Sequence, residues 1–145
     1  MERSITEQLS AFNQMYKAMD EAYHTYAKRI GISDMMLWLL YSLYESDTVY
    51  TQREICADWH CTPQTLNSAL KNLEQQGFIE LSPVAGNRKN KRVVLTGKGE
   101  EMAQRVIGPV VRAEQGAFLG LTEEERENLL RLTGKYTELL QNGLN

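Results

Sequence analysis

Between Thr62 and Lys71 the chain carries Thr62, Pro63, Gln64, Thr65, Asn67, Ser68 and Lys71, which supply short hydroxyls, side-chain amides and one lysine but no carboxylate. Further along it gathers Asn87, Arg88, Lys89, Lys91 and Arg92, and between Gly86 and Lys98 there are five basic residues and no acidic one. Amides pair bidentately with adenine, hydroxyls and lysine reach bases or phosphates, and clustered cations neutralise a phosphate backbone or enter a narrow minor groove. The chemistry on offer is recognition of a double-stranded polyanion. No comparable convergence of nucleophile, acid and base exists: His24 reads as a surface residue of the first helix, His60 falls in a turn, and the carboxylates in capping or solvated positions. The expectation is therefore no enzyme, no catalytic residue, no metal site and no cofactor. Cys56 and Cys61 are too few for a disulfide scaffold or a cysteine-based zinc site, and reduced thiols are the default.

These side chains need elements that aim them. Thr62-Pro63 reads as an N-cap followed by proline at the first helical position, where the missing amide hydrogen costs nothing. Leu66, Ala69, Leu70 and Leu73 then form a buried stripe and Gly77 stops the helix, so Pro63, Gln64, Asn67, Ser68 and Lys71 point away from the core. Thr51-Gln52-Arg53-Glu54 reads as a capping box that opens the preceding helix, with the Glu54 side chain reaching back to the Thr51 amide. Ile55, Cys56 and Trp59 face inward, Cys56 where two crossed helices need a small residue, and His60-Cys61 makes the turn. Phe78 to Leu81 and Arg92 to Leu95 read as strands of a hairpin whose tip runs from Pro83 to Asn90 around Gly86-Asn87.

Around this centre lie three longer helices. Ile5, Leu9, Phe12, Tyr16, Met19, Tyr23, Tyr26 and Ile30 recur at alternating spacings of four and three, a heptad-like stripe closed by Gly31. Two readings fit it: a helix packed on its own domain, and a helix that also enters a subunit interface. Ser33 caps a central, buried helix through Met35, Met36, Trp38, Leu39, Leu40 and Leu43 to about Tyr44. Glu100 to Leu119 reads as a helix interrupted by Gly108-Pro109, and Thr122 to Glu125 as a second capping box opening a last helix with Leu129, Leu132, Tyr136, Leu139 and Leu140 on one face. The 145 residues, 42% hydrophobic, suffice for a packed core. The net charge of −3 argues mildly against nucleic acid, but the distribution outweighs the sum, since a basic segment sits on an acidic body. No apolar run spans a membrane and the N-terminus lacks the layout of a signal peptide, so a cytoplasmic protein without a membrane partner is expected.

Leu70 to Ile79 (Leu-Lys-Asn-Leu-Glu-Gln-Gln-Gly-Phe-Ile) and Val93 to Gly99, with its valine-x-leucine-threonine-x-lysine-glycine pattern, resemble the MarR family of winged-helix transcriptional regulators, and the likeness covers essentially the whole chain. The resemblance implies a mainly α fold with a small β-wing. Residues 33–99 would form the winged helix-turn-helix, and 1–32 with 100–145 the dimerisation region, Ile5, Leu9, Phe12, Tyr16, Leu132, Tyr136, Leu139 and Leu140 lying in the interface. It implies a homodimer on a pseudo-palindromic operator with half-sites about 10 base pairs apart, acting as a repressor. The family's wing bears an aspartate-x-arginine signature whose places fall here on Asn87 and Lys89, leaving Arg88 and Arg92 as the two candidates for the inserted cation.

Similar proteins bind a small, often aromatic anion near the dimer helices, and binding shifts the population of conformers. Tyr16, Tyr23, Met36, Trp38, Tyr41 and Tyr44 are the candidates to line such a pocket here, core packing being the alternative role for each. Two other readings stay open: a winged-helix protein–protein interaction module, and a thiol-based redox regulator using Cys61, whose place ahead of a helix N-terminus would lower its pKa.

Overall fold

The computed structural model describes residues 2–44, 50–59 and 61–145. His60 lies outside the described residues, and so do the side chains of Trp59, Asn87, Arg88 and Lys89. In chain order the described elements are α1 (Ile5–Ile30), α2 (Asp34–Tyr44), β1 (Tyr50–Thr51), α3 (Gln52–Trp59), α4 (Pro63–Gln75), β2 (Ile79–Val84), β3 (Asn87–Leu95), α5 (Gly97–Leu119) and α6 (Glu123–Leu144). Helices with one small antiparallel sheet make a winged helix-turn-helix, as the sequence predicts. Met1–Ile107 form one compact unit and Gly108–Asn145 a second. Among the described residues no helix is long and apolar enough to cross a membrane.

In the first unit, α1 starts at a complete capping box between Ser4 and Glu7 and ends where Gly31, at φ 81°, returns its amide to the last carbonyls. The heptad-like stripe divides. Tyr23 and Tyr26 are half-buried beside the buried Ala27, and the Tyr26 hydroxyl donates to the Val106 carbonyl at 2.6 Å. Ile5, Leu9, Phe12, Tyr16 and Met19 are exposed, Ile5 to 78%. The stripe packs on its own unit at the C-terminal end and leaves open apolar surface at the other. The Ser33 hydroxyl caps α2 by accepting from the Met36 amide at 3.1 Å, and Leu37, Leu39, Leu40 and Leu43 bury its inner side.

The core of the winged part joins Leu39 and Leu43 to Ile55, Leu66, Leu70, Leu73, Ile79 and Val93, with Met36, Cys56, Cys61 and Phe78 packed around them. The sheet order is β1-β3-β2, so β3 is central: Val93 faces Tyr50 on one side and Leu81 on the other. Two sequence expectations shift here. The hairpin tip narrows to Ala85-Gly86, Gly86 having φ 79°, because pairing continues past Pro83, opposite Lys91, and resumes at Val84 opposite Asn87 after a register irregularity. Pro83, Val84 and Asn90, placed in the tip by the sequence, are therefore strand residues. The box at Thr51 also forms only by half: its hydroxyl accepts from the Glu54 amide at 3.2 Å, but the Glu54 carboxylate takes the Thr51 hydroxyl at 3.0 Å rather than the amide. Thr51 already belongs to a strand, paired with Arg92.

The segment after β3 clasps α4 to α5. Thr96 donates its amide to the Phe78 carbonyl at 3.0 Å and its hydroxyl to the Gly77 carbonyl at 2.6 Å, while that hydroxyl accepts from the Gly99 amide at 3.1 Å. Lys98 donates to the Gln76 carbonyl at 2.8 Å with its ammonium 4.8 Å from the Phe78 ring centroid. Thr96 is thus the N-cap of α5, which begins at Gly97, not Glu100. The helix also continues through Gly108-Pro109, where the sequence predicts an interruption, since one missing ladder bond is a small fraction of a 23-residue element. In the second unit, α6 starts at the predicted Thr122–Glu125 box and has no buried residue.

Candidate nucleic-acid interface

The exposed face of α4 is acid-free from its N-cap to Lys71; Glu74, near the end of the helix, is exposed as well. Thr62, Pro63, Gln64, Thr65, Asn67, Ser68 and Lys71 are all exposed, whereas Leu66, Leu70 and Leu73 are fully buried on the opposite side. Local chemistry fixes where this face begins. Thr62 accepts from the Thr65 amide at 3.2 Å, the two hydroxyls meet at 2.8 Å, and Pro63 occupies the first turn without wasting a donor. Ser68 donates to the Gln64 carbonyl at 3.2 Å, which leaves its oxygen's lone pairs outward. These groups present donors and acceptors at the start of a helix whose N-terminal dipole favours an anion.

Three residues that sequence reasoning passes over join this face. Gln52, in the first turn of α3, donates its side-chain amide to Asn67 Oδ1 at 3.2 Å, coupling the two helices through the side chain best suited to read adenine. Asn90 accepts from the Arg53 amide at 3.3 Å and so ties the wing to the start of α3. Gln52, Arg53, Cys56, Ala57, Pro63, Leu66, Asn67 and Asn90 line one open cavity of about 370 Å³. Arg53 is exposed and adds a cation next to the reading face. In the sequence the Gln52–Arg53 pair is visible only as the middle of a capping box, and Asn90 only as a turn residue.

On the wing, Arg92 is exposed opposite Ser82, and Lys91 is half-buried because strand alternation turns it to the Val93 face. Lys98, counted with the basic cluster in the sequence, is spent on the Gln76 carbonyl. Of the proposed pocket residues, the structure joins three: Tyr23 and Trp38 have ring centroids 4.9 Å apart, and Trp38 and Tyr41 5.7 Å. Tyr23 and Trp38 line a second cavity, about 550 Å³, with Lys17, Asp20, Glu21, His24 and Asp34. Met36 packs on the winged core, Tyr44 is half-buried, and Tyr16 is exposed on α1. His24 is the surface residue expected, its Nδ1 2.9 Å from an Asp34 oxygen. On α6, Leu132, Tyr136, Leu139 and Leu140 are exposed.

The lowered pKa that its place ahead of a helix suggests for Cys61 is not found. Burial pushes the Cys61 thiol above its ordinary value, and the neighbouring Cys56 adds to the rise. A helix N-terminus would do the opposite, but packing against the leucine core outweighs it. Cys61 alone is not an activated thiolate.

A three-stranded wing behind a capped, outward-facing second helix defines the chain as a winged helix-turn-helix protein. Residues 30–89 match the MarR family model. Over this region, the winged helix-turn-helix itself, the chain is similar to the MarR family. It is 33% identical over 78 residues to the HTH-type transcriptional regulator PecS of Dickeya dadantii (strain 3937), a match that covers 54% of this chain and about half, 47%, of PecS. It is 28% identical over 131 residues to the HTH-type transcriptional regulator YwhA of Bacillus subtilis (strain 168), 90% of each chain. Its fold is shared with S. aureus MepR: the TM-score is 0.75 to the DNA-binding conformation (22% identity, 92% of this chain, 98% of MepR) and 0.71 to the MepR–DNA complex (23% identity, 96% and 99%).

Proposed function

We propose that this regulator binds double-stranded DNA in a sequence-specific way, as a homodimer on a pseudo-palindromic operator, and represses from it. The observation that carries the reading is the N-terminal part of the exposed face of α4, which from Thr62 to Lys71 offers Gln64, Thr65, Asn67, Ser68 and Lys71 without one carboxylate. The DNA complex of MepR, a protein of the same fold, supports the choice of partner. Inserted in a major groove, this face reads bases while Arg88, Lys89, Lys91 and Arg92 on the wing neutralise phosphates. Residues 33–99 carry that reading, and residues 1–32 and 100–145 supply the dimer contacts. The exposed apolar residues of α1 and, separately, of α6 are the surfaces a second copy would cover. Twofold symmetry then sets half-sites about one helical turn apart. A dimer of this kind seated across a promoter excludes polymerase, which is the basis for repression, and its working place is the cytoplasm.

Release by a small ligand completes the reading. The Tyr23–Trp38–Tyr41 cluster is the aromatic wall a flat ring would stack on. Asp20, Glu21 and Asp34 beside it favour a neutral or cationic ring over an anion. The test is selection of bound fragments from a random DNA pool by the wild type and by an Asn67→Ala, Arg88→Ala variant at the same salt. Enrichment of a pseudo-palindrome by the wild type alone is expected. Equal enrichment by both proteins would overturn the assignment of the reading face.

A further inference from the structure

The turn between α3 and α4 brings the chain's two thiols together. Cys56 donates its S–H to the Cys61 carbonyl at 2.7 Å, and the two Sγ atoms lie 4.0 Å apart. Both are free and half-buried against the leucine core. Cys56 also lines the open cavity shared with Arg53, Pro63 and Asn67, so of the two thiol residues it is the one that borders the reading side. We propose that Cys56 and Cys61 form a same-chain dithiol that closes to a disulfide across the helix-turn-helix, and that closure turns DNA binding off. The second half of this statement rests on the operator-binding reading above; the covalent half does not.

A small-molecule disulfide is the oxidant. The Cys56 thiolate, its proton passed to solvent, attacks one sulfur of that disulfide and expels a small thiolate, leaving a mixed disulfide on Cys56. Cys61 then loses its proton and attacks the Cys56 sulfur, forming the internal bond and expelling the second small thiolate. Two protein thiols are oxidised by two electrons, one disulfide is reduced to two thiols, and the two protons end on them. The order follows from position: Cys56 borders the cavity, and Cys61, held above its ordinary pKa by burial and by Cys56, is the partner that resolves.

Closure has a mechanical consequence. An S–S bond is about 2 Å long, so the sulfurs must approach by about 2 Å from their present separation. Oxidation removes the hydrogen that Cys56 gives to the Cys61 carbonyl, and Cys61 directly precedes the N-cap Thr62. The first turn of α4, which carries Gln64, Thr65 and Asn67, is therefore displaced at its anchor. A loss the size of a helix N-cap corresponds to about tenfold in affinity.

The experiment treats the reduced full chain with oxidised glutathione and reads intact mass, thiol content and affinity for a selected operator. The tryptic peptide Glu54–Lys71 holds both cysteines, so the expected product loses two hydrogens within that one peptide, without covalent dimer. Operator affinity should fall about tenfold and recover with dithiothreitol. Cys61→Ser should stop at a glutathione adduct on Cys56, and the doubly substituted Cys56→Ser, Cys61→Ser protein should bind DNA regardless of oxidant. A stable adduct on the wild type, cross-linked chains or unreacted thiols would overturn the dithiol. A disulfide that leaves affinity unchanged would overturn the switch while sparing the operator reading. A reduced protein that binds no DNA would overturn the operator reading and with it the switch, the mass readout still deciding the disulfide.

Discussion

Replacing Gly99 by alanine should destabilise the winged unit although it puts a better helix former into the first turn of α5. A Cβ there would stand 1.8 Å from the Phe78 carbonyl oxygen, 2.8 Å from its carbon and 3.1 Å from Leu95 Cδ2. That carbonyl cannot give way. The Phe78 amide donates to Leu73 at 2.9 Å and the Phe78 oxygen accepts from Thr96 at 3.0 Å, so relief requires the start of α5 to retreat by more than an ångström. The retreat strains the short bonds of the clasp, Thr96 to Gly77 at 2.6 Å and Lys98 to Gln76 at 2.8 Å. Two or three hydrogen bonds at about 1 kcal/mol each, with the usual cost of overpacking and less the ~1 kcal/mol helix preference for alanine, leave a net loss of about 3 kcal/mol. Gly97→Ala is the control, because its Cβ meets nothing within 4 Å. It should be neutral or stabilising by up to ~1 kcal/mol. Urea unfolding followed by far-ultraviolet circular dichroism, at one protein concentration, separates the two. Equal midpoints for Gly99→Ala and Gly97→Ala would refute the reasoning.

Other perturbations test other parts of the molecule. On the proposed homodimer reading, Leu9→Glu on the exposed stripe of α1 should lower the mass by light scattering to that of one chain, and an unchanged dimer mass would remove α1 from the interface. Gln52→Ala and Asn67→Ala should relax preference at the same base pair of the operator, each by ~1–3 kcal/mol, with a double variant well short of additive. Independent effects would show that Gln52 does not orient Asn67. Neutralising Arg88 and Lys89 should reduce the slope of log affinity against log salt by about 0.9 for each phosphate that the wing no longer neutralises, and a constant slope would clear the wing of that role. The Thr122 amide, with its hydroxyl, holds the Glu125 carboxyl below the usual range. Its stabilising contribution is therefore complete above the unfolded-state value and disappears as pH falls through the lower folded-state value. Glu125→Gln should flatten that part of the acid-unfolding curve, and an unaltered acid limb would contradict the box.

Much of this architecture is legible in the sequence because its signals are local. Thr62-Pro63, Ser33 and Thr122 announce helix starts within four residues, and the leucine stripe of α4 shows which side is left outward. Contacts that cross the chain are not legible. Asn90 meets Arg53, and Gln52 meets Asn67, through pairings set by the register of β3 and the crossing of α3 with α4. Lys98 looks like one more cation of the wing because nothing in its neighbours says that Gln76 ends α4 with an open carbonyl. Cys61 misleads for a related reason: its position before a helix is local, but its burial comes from Leu66, Leu70 and the rest of the core.

The division of labour along α4 has an evolutionary consequence. Its hold on the protein rests on Leu66, Leu70 and Leu73, on the Thr62 cap, and on a clasp of Thr96, Lys98 and Gly99 that grips the helix from its far end. Gln64, Asn67 and Lys71 contribute little to any of these. Duplicated copies of such a gene can therefore drift at the outward positions without unfolding, and each can acquire a new DNA address while keeping its scaffold.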